Sequence, residues 1–336
     1  MKWKKEIWFV WLFILAGQLY AQEIQLLHSG NKVSLRGLSV VNDQVFWASG
    51  SKGMVARSTD GGKTIQWMQV PSYGQRDFRD IHAFDSNTAI IMGIAEPAVM
   101  LKTSDAGRTW TKVFEDTTKG MFLDALDFQG NNGVVIGDPI NDSVYMAIST
   151  DGGQHWQKTI PKNNCAVMKN GEAFFASSGS NIQWYGKSAA PKFAYISGGT
   201  QSRLFINNQC YALPMLRDKN STGANALAII DKLGVIVGGD FAADTISTGN
   251  LLCFSTDKPD QFIQPITPPR GYKSSITMLN KKQWLVCGTS GVDITEDGGR
   301  NWRFISKTGF HVAKKAAKGK TVYLAGGDGR IAKLSW

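Results

Sequence analysis

Ser149-Thr150-Asp151-Gly152-Gly153-Gln154-His155-Trp156 is the phrase from which the fold can be read, because the chain repeats it. Close copies run from Thr103 through Asp105 to Trp110 and from Thr295 through Asp297 to Trp302. An earlier copy, Ser58-Thr59-Asp60-Gly61-Gly62-Lys63-Thr64-Ile65, lacks only the aromatic, a role open to Trp67. Each has the form Ser/Thr-x-Asp-x-Gly-x-x-Trp. The Asp and Ser/Thr side chains bond nearby backbone N–H groups, glycine reaches positive φ without a Cβ clash, and Trp110, Trp156 and Trp302 return the chain to an apolar core. The phrase therefore predicts a rigid hairpin turn with a structural role.

The spacing of the turns sets the architecture. From Asp60 to Asp105 is 45 residues, from Asp105 to Asp151 is 46, from Asp151 to Asp257 is 106, and from Asp257 to Asp297 is 40. Periods of about 40 to 50 residues, each holding short apolar runs separated by Gly, Asn and Asp, predict a propeller blade. The inner strand pair recurs over 37–48, 80–93, 124–137, 181–198, 225–239, 274–288 and 312–326, which gives seven blades of four antiparallel strands. The chain ends on a third strand, and residues 23–28 precede blade one where other blades have the outer strand of their predecessor. An all-β ring closed by the N-terminal strand completing the last blade is expected, since closure hides strand edges. Blade four, which lacks a recognisable turn phrase, is the least defined.

The first 21 residues read differently. Lys2, Lys4 and Lys5 precede an apolar run over 7–16, and Leu19-Tyr20-Ala21 before Gln22 forms a small-residue cleavage site. The run is too short for a membrane span of about 20 residues. Residues 1–21 are thus expected to be a signal peptide and 22–336 one propeller domain, exported to the periplasm or the medium, with no transmembrane segment after cleavage. Loss of the leader takes the formal charge from +10 to +8. A basic surface favours a protein or acidic-glycan partner, and export disfavours nucleic acid. A solvated basic rim is the plain alternative. Among the cysteines, Cys253 and Cys287 fall on apolar strands and read as buried thiols, whereas Cys165 and Cys210 lie in polar loops where pairing is open. Their spacing suggests no metal site, and no cofactor is expected. A monomer is expected.

The turn phrase resembles the Asp-box of bacterial neuraminidase repeats. Seven such units behind a signal peptide resemble the photosystem II stability/assembly factor-like propeller family, over residues 23 to 336. That resemblance implies a fold and a binding style of use, whereas Asp-boxes occur in sialidases, other glycosidases, sorting receptors and assembly factors alike, so activity must come from the site. It also places the Asp-boxes between third and fourth strands, away from the ligand face. The opposite face is built where inner strands begin and where second strands turn into third strands. There stand Arg36, Arg79, Asp80, Asp124, Glu172, Asn225, Lys273 and His311, and Glu96-Pro97, Asp138-Pro139, Arg203 and Asp240. Ionised groups crowded at a channel mouth cost desolvation unless they pair or bind something. Mutual neutralisation around a water-filled funnel is one reading. The long loops 174–179 and 241–250 would overhang the same face and shape a pocket, which favours binding.

Two functions follow. The first is an exported, non-enzymatic scaffold binding a protein or glycan through Arg36, Arg79, Arg203, Asn225, Asp240, Lys273 and His311. The second is a glycan hydrolase using a pair among Asp80, Glu96, Asp124, Asp138 and Glu172, since that chemistry needs an acid and a base or nucleophile across a sugar-sized gap. A sialidase is disfavoured: Phe78-Arg79-Asp80-Ile81 lacks the proline of the sialidase arginine phrase, and Tyr272, the nearest nucleophile candidate, has no evident Glu partner. There is no GxSxG or HExxH motif, and Gly327-Asp328-Gly329-Arg330-Ile331-Ala332, which fits GxGxxA, has only four residues after it and no room for a phosphate-binding helix.

Overall fold

The computed structural model describes residues 22–161, 165, 167–186 and 192–335; the expected signal peptide lies outside the described residues. These residues form seven antiparallel sheets around one axis. Blade one comprises Leu35–Val40, Phe46–Gly50, Met54–Ser58 and Gln66–Gln69, and its successors repeat the same up-and-down order from the axis outward. The last blade takes Val312–Lys315, Val322–Ala325 and Ile331–Ser335 from the C-terminal end and Glu23–His28 from the N-terminal end. The pairing of Glu23 with Ser335 and Leu26 with Ala332 closes the ring as expected.

The core is not one cluster but seven, each between neighbouring blades. Trp47, Val55, Ile81 and Ile91 fill the space between blades one and two, and Phe46, Ala48, Tyr323 and Ile331 fill the seam between blades seven and one. Strands buried on both faces explain why the second strands, such as Ala89–Gly93 and Trp284–Gly288, read as continuous apolar runs.

The turn phrase builds the hydrogen-bonded knot that its chemistry predicts. In blade three the Ser149 hydroxyl donates to Asp151 (2.8 Å) and accepts the Gly153 N–H (2.9 Å), while Asp151 accepts the N–H groups of Gln154 and His155. Trp156 folds back to donate to the Gly153 carbonyl at 3.2 Å. Gly153 has φ +81°, and a Cβ there would lie 3.0 Å from Ile90 and Phe128. The knots at Asp60, Asp105 and Asp297 repeat the pattern, and each docks onto the first hairpin of its own blade through a backbone bond such as Gly61 N–H to Gln44 O. Two expectations need correction. In blade one Ile65 and Trp67 both pack against the same core cluster, but the Trp67 indole N–H has no partner among the described residues, so the aromatic's bond to the knot is not reproduced. In blade five the strands Leu251–Ser255 and Lys258–Ile263 are joined by Thr256 and Asp257 alone, so Asp257 forms no knot and pairs with Lys232 at 2.6 Å.

Blade four departs from the repeat before it starts. Cys165 is joined by a disulfide to Cys210 on blade four's outer strand, and residues 167–181 add the short strand Glu172–Ala173 to blade five's sheet through Gly198–Gly199. Cys253 and Cys287 are buried free thiols, as their strands predicted.

Ring closure is directly testable. A chain beginning at residue 30 exposes the edge of Ile331–Ser335 and uncovers the seams that Ile24 and Leu27 help fill. It should melt several degrees lower than the chain beginning at residue 22 and scatter light on heating; identical melting curves would sink the closure argument.

Candidate binding site

Four inner strands begin with a β-bulge. The register slips between Leu35 and Gly37, Phe78 and Asp80, Leu123 and Ala125, and Ala224 and Ala226. The residue skipped in each is Arg36, Arg79, Asp124 and Asn225, four of the positions singled out by the repeat. A bulge re-aims its extra side chain. This is how side chains at the start of a buried strand come to serve the axial channel instead of the blade.

The channel itself is occupied by the chain. Residues 175–181 pass through it, bonding to blades one, five, six and seven and touching blade two. The Ser177 hydroxyl donates to Asn225 Oδ1 (2.9 Å), which also accepts the Tyr272 hydroxyl (2.7 Å). Arg36 donates to the Ser177 carbonyl (3.3 Å), Ser178 to the Ser274 carbonyl (2.6 Å), Lys314 to the Ser180 hydroxyl (3.1 Å), and Leu227 N–H to the Ser180 carbonyl (2.7 Å). Gly179 sits on the Asp80 carboxylate so closely that a Cβ would be 2.1 Å from it. The 174–179 segment was expected to overhang the face; it plugs the axis instead, because its small residues fit where the inner strands converge.

Above the plug, on the face where inner strands begin, lies a cavity of about 450 Å³. Its ionisable lining is Arg36, Arg79, Asp124, Asp138 and His311, and its aromatic walls are Phe122, Phe175, Phe241 and Tyr272. Phe241, from the loop after Asp240, is half exposed and meets Phe175 edge-on at 5.7 Å, so this loop does overhang the site. Arg79 approaches Phe122 and has one long ion pair to Asp77 at 3.5 Å, leaving its buried Nε without a partner among the described residues. Burial, and then the neighbouring Arg79, lower the pKa of Arg36. Burial and the charges of Arg36, Arg330 and Arg79 bring His311 down to about 3, so it is neutral and shares a hydrogen bond with Ser34 at 3.3 Å. Burial, reinforced by Asp138 and opposed by Arg79, pushes Asp124 well above the carboxylate range; burial raises Asp138 too. The two guanidinium groups thus face one aromatic-walled cavity, with a single long ion pair, Arg79 to Asp77, between them.

The other expected residues go elsewhere. Glu172 and Arg203 form a buried bidentate pair at 2.7 and 2.8 Å, and Arg203 also donates to the Cys165 and Val167 carbonyls, clamping the disulfide loop. Lys273 is wholly buried against Asp293 at 2.7 Å and does not face the cavity. Asp240 pairs with Lys219 at 3.4 Å and accepts the Ala242 N–H, fixing the turn that carries Phe241. Glu96 accepts the Gly120 N–H on the rim, and Asp80 lies below the plug, accepting the N–H groups of Ile81 and Leu126. Of the five carboxylates weighed for catalysis, only Asp124 and Asp138 share the cavity. The aromatic walls were missed, although Phe122, two residues before Asp124, marks them.

Solved structures bear on the fold. The chain is similar in fold to YCF48. It aligns with YCF48 bound to D1 peptide at TM-score 0.65 and 14% identity over 95% of this chain and 96% of that one, and with YCF48 from Cyanidioschyzon merolae at 0.62 and 16% over 93% and 98%. The GH74 enzyme of Niastella koreensis aligns at 0.61 and 11%, over 92% of this chain but 53% of the enzyme. No protein-family model matches the sequence, and no curated protein does. The likeness to the assembly-factor propeller expected from the turn phrase thus stands at the level of fold. No helix among the described residues is long and apolar enough to cross a membrane.

Two substitutions test the packing. Gly179→Ala forces a Cβ into the Asp80 carboxylate at φ +60°, and Glu172→Gln strands the buried Arg203 charge. Each should cost about 3 kcal/mol in urea unfolding, and a cost below about 1 kcal/mol would contradict the contact concerned.

Stability should also respond to pH in two directions. Hydrogen bonds from Thr64, Thr109 and Asn301 hold Asp60, Asp105 and Asp297 down at about 2, so their contribution is lost as pH falls from 4 to 2. Burial pushes Asp127 up to about 6 and Asp80 up to about 8, so the folded chain holds protons that the unfolded chain releases near 4. On their own these two groups make stability fall as pH rises from about 4 towards 8, whereas His82 and His311, held down to about 4 and about 3, make it rise between about 4 and 6.5. Asp127→Asn should therefore shift the pH dependence of the urea midpoint between about 4 and 6 towards a steeper rise or a shallower fall than in the parent; identical pH profiles for parent and variant would refute it.

Proposed function

We propose that this chain is an exported, non-enzymatic propeller that binds a carboxylate-bearing segment of a partner protein in the Arg36/Arg79 cavity. The observation that carries this reading is the pair of under-neutralised guanidinium groups facing one aromatic-walled cavity. Planar guanidinium groups suit carboxylates, and the aromatic walls suit apolar side chains beside them. The fold of YCF48, one of whose structures holds a peptide, supports a protein partner. The Cys165–Cys210 disulfide supports an oxidising compartment and hence export.

A glycan hydrolase is the second reading, raised by the GH74 fold and by Asp124 beside Asp138. The placement of these carboxyls weighs against it. Asp138 accepts the Phe174 N–H at 3.0 Å and so holds the backbone that leads into the plug, while both Asp124 oxygens are buried without a hydrogen-bond partner among the described residues. Both are also shifted away from the ionised form, whereas hydrolysis requires one carboxylate as base or nucleophile.

Affinity capture from envelope and medium fractions with residues 22–336 should retain a protein partner, and peptides tiled from it should locate an acidic segment. Arg36→Glu/Arg79→Glu, shown to be folded, should weaken that segment's binding by more than tenfold, with a salt-dependent affinity in the parent. Equal binding by parent and variant would overturn the reading. Glycan hydrolysis abolished by Asp124→Asn would establish the second one.

A further inference from the structure

The plug leaves a second cavity at the other end of the axis, on the Asp-box side. A second set of side chains reaches this end of the channel: Ser39, His82 and Asp127 stand three positions after the bulged Arg36, Arg79 and Asp124, and Thr277 and Lys314 stand three after Ser274 and His311 on strands without a bulge. Two adjoining hollows of about 360 and 160 Å³ share Asp127 and Lys314 in their lining. Ser180 and Gly179 of the plug form their floor, so they are separated from the Arg36/Arg79 cavity.

Lys314 comes from blade seven and Asp127 from blade three, on opposite sides of a seven-membered ring. The two charges share a cavity yet form no ion pair, since no salt bridge joins them among the described residues. Lys314 makes a single hydrogen bond, to Ser180, and leaves two ammonium protons unused. Asp127 accepts the Trp184 N–H on one oxygen at 2.7 Å. Beside it the Gln129 side-chain oxygen is buried without a partner. Leu227, Ile229, Ile276 and Met278 form an apolar wall between the two charges. His82 lies in the same mouth but is kept neutral, because burial brings it down to about 4.

We propose that this mouth is a second ligand site, for a small zwitterion of the α-amino acid class, with its carboxylate at Lys314, its ammonium at Asp127 and Gln129, and an apolar side chain on the Leu227/Ile276 wall. A simple anion meets Asp127, and a simple cation meets Lys314. A neutral sugar leaves both charges uncompensated in a partly desolvated cavity, which is costly. A dipolar ligand satisfies both at once, and the volume is that of an ordinary small-molecule site.

Isothermal titration of the folded chain with alanine, valine, leucine, methionine and phenylalanine is the test. At least one should bind saturably at millimolar concentration or below. For leucine, 4-methylpentanoate and 3-methylbutan-1-amine, which each lack one charge, should bind at least about tenfold more weakly, the scale of one charge-assisted contact. Lys314→Met and Gln129→Leu should weaken binding with the melting temperature retained, and Asp127→Asn should do so if it folds. Arg36→Glu/Arg79→Glu should leave amino-acid binding unchanged, which keeps this site independent of the acidic-segment site. Absence of binding by all five amino acids, equal binding of the single-charge analogues or of glucose, or full binding by Lys314→Met would each overturn the proposal.

Discussion

Seven sheets splayed around one axis converge on their inner strands, and the space where they meet must be filled, since a protein interior forfeits contact energy wherever it leaves a void. Here the filling is polypeptide. Ser177, Ser178 and Ser180 bond to the inner strands, and Gly179 passes where no side chain fits beside Asp80. The plug determines much else. Its approach commits Asp138 to holding backbone, it supplies the floor of two cavities, and it gives Asn225 and Tyr272 their partners. Its approach is fixed in turn by the Glu172–Arg203 pair and the disulfide, so the irregular part of blade four is the support of the axis.

The bulges are the second constraint. A regular strand alternates its side chains, so an inner strand would present every other residue to the axis. Skipping one residue near the start puts two successive channel positions three residues apart, one for each mouth. Arg36 and Ser39, Arg79 and His82, and Asp124 and Asp127 are such pairs. Two sets of channel-facing side chains are thereby written into one set of strands, and the plug separates them.

Legibility in the sequence follows from range. The Asp-box is closed within eight residues, so its hydrogen bonds are written in its own letters, and its spacing revealed the blade count and the ring closure. The bulged residues Arg36, Arg79, Asp124 and Asn225 were legible because matching positions in several blades carry polar groups where an inner strand calls for small apolar ones. Glu172 and Arg203 were misplaced for the opposite reason. They lie around blade four, which has no Asp-box, so alignment by repeat has no anchor there, and each found the other rather than the axis. The plug was legible only as a long connection, since its route depends on five blades distant in sequence. Asp127 and Lys314 were passed over because, without knowledge of the bulge, they count as ordinary strand residues.

The two mouths differ in electrostatic character for a reason that lies in their partners rather than in their composition. Both contain carboxyl groups and cations. On the upper face Arg79 has one long ion pair, to Asp77, Asp138 accepts a backbone N–H beside the plug, and burial raises Asp124 and Asp138 alike. On the Asp-box face Asp127 accepts the Trp184 N–H and shares its hollow with Lys314, and Asp80 and Lys315 line the smaller part of it. Counting charges by blade would make the two faces alike. What distinguishes them is what each charge is bonded to, and the plug, whose glycine and three serines carry no charge, keeps the two sets apart.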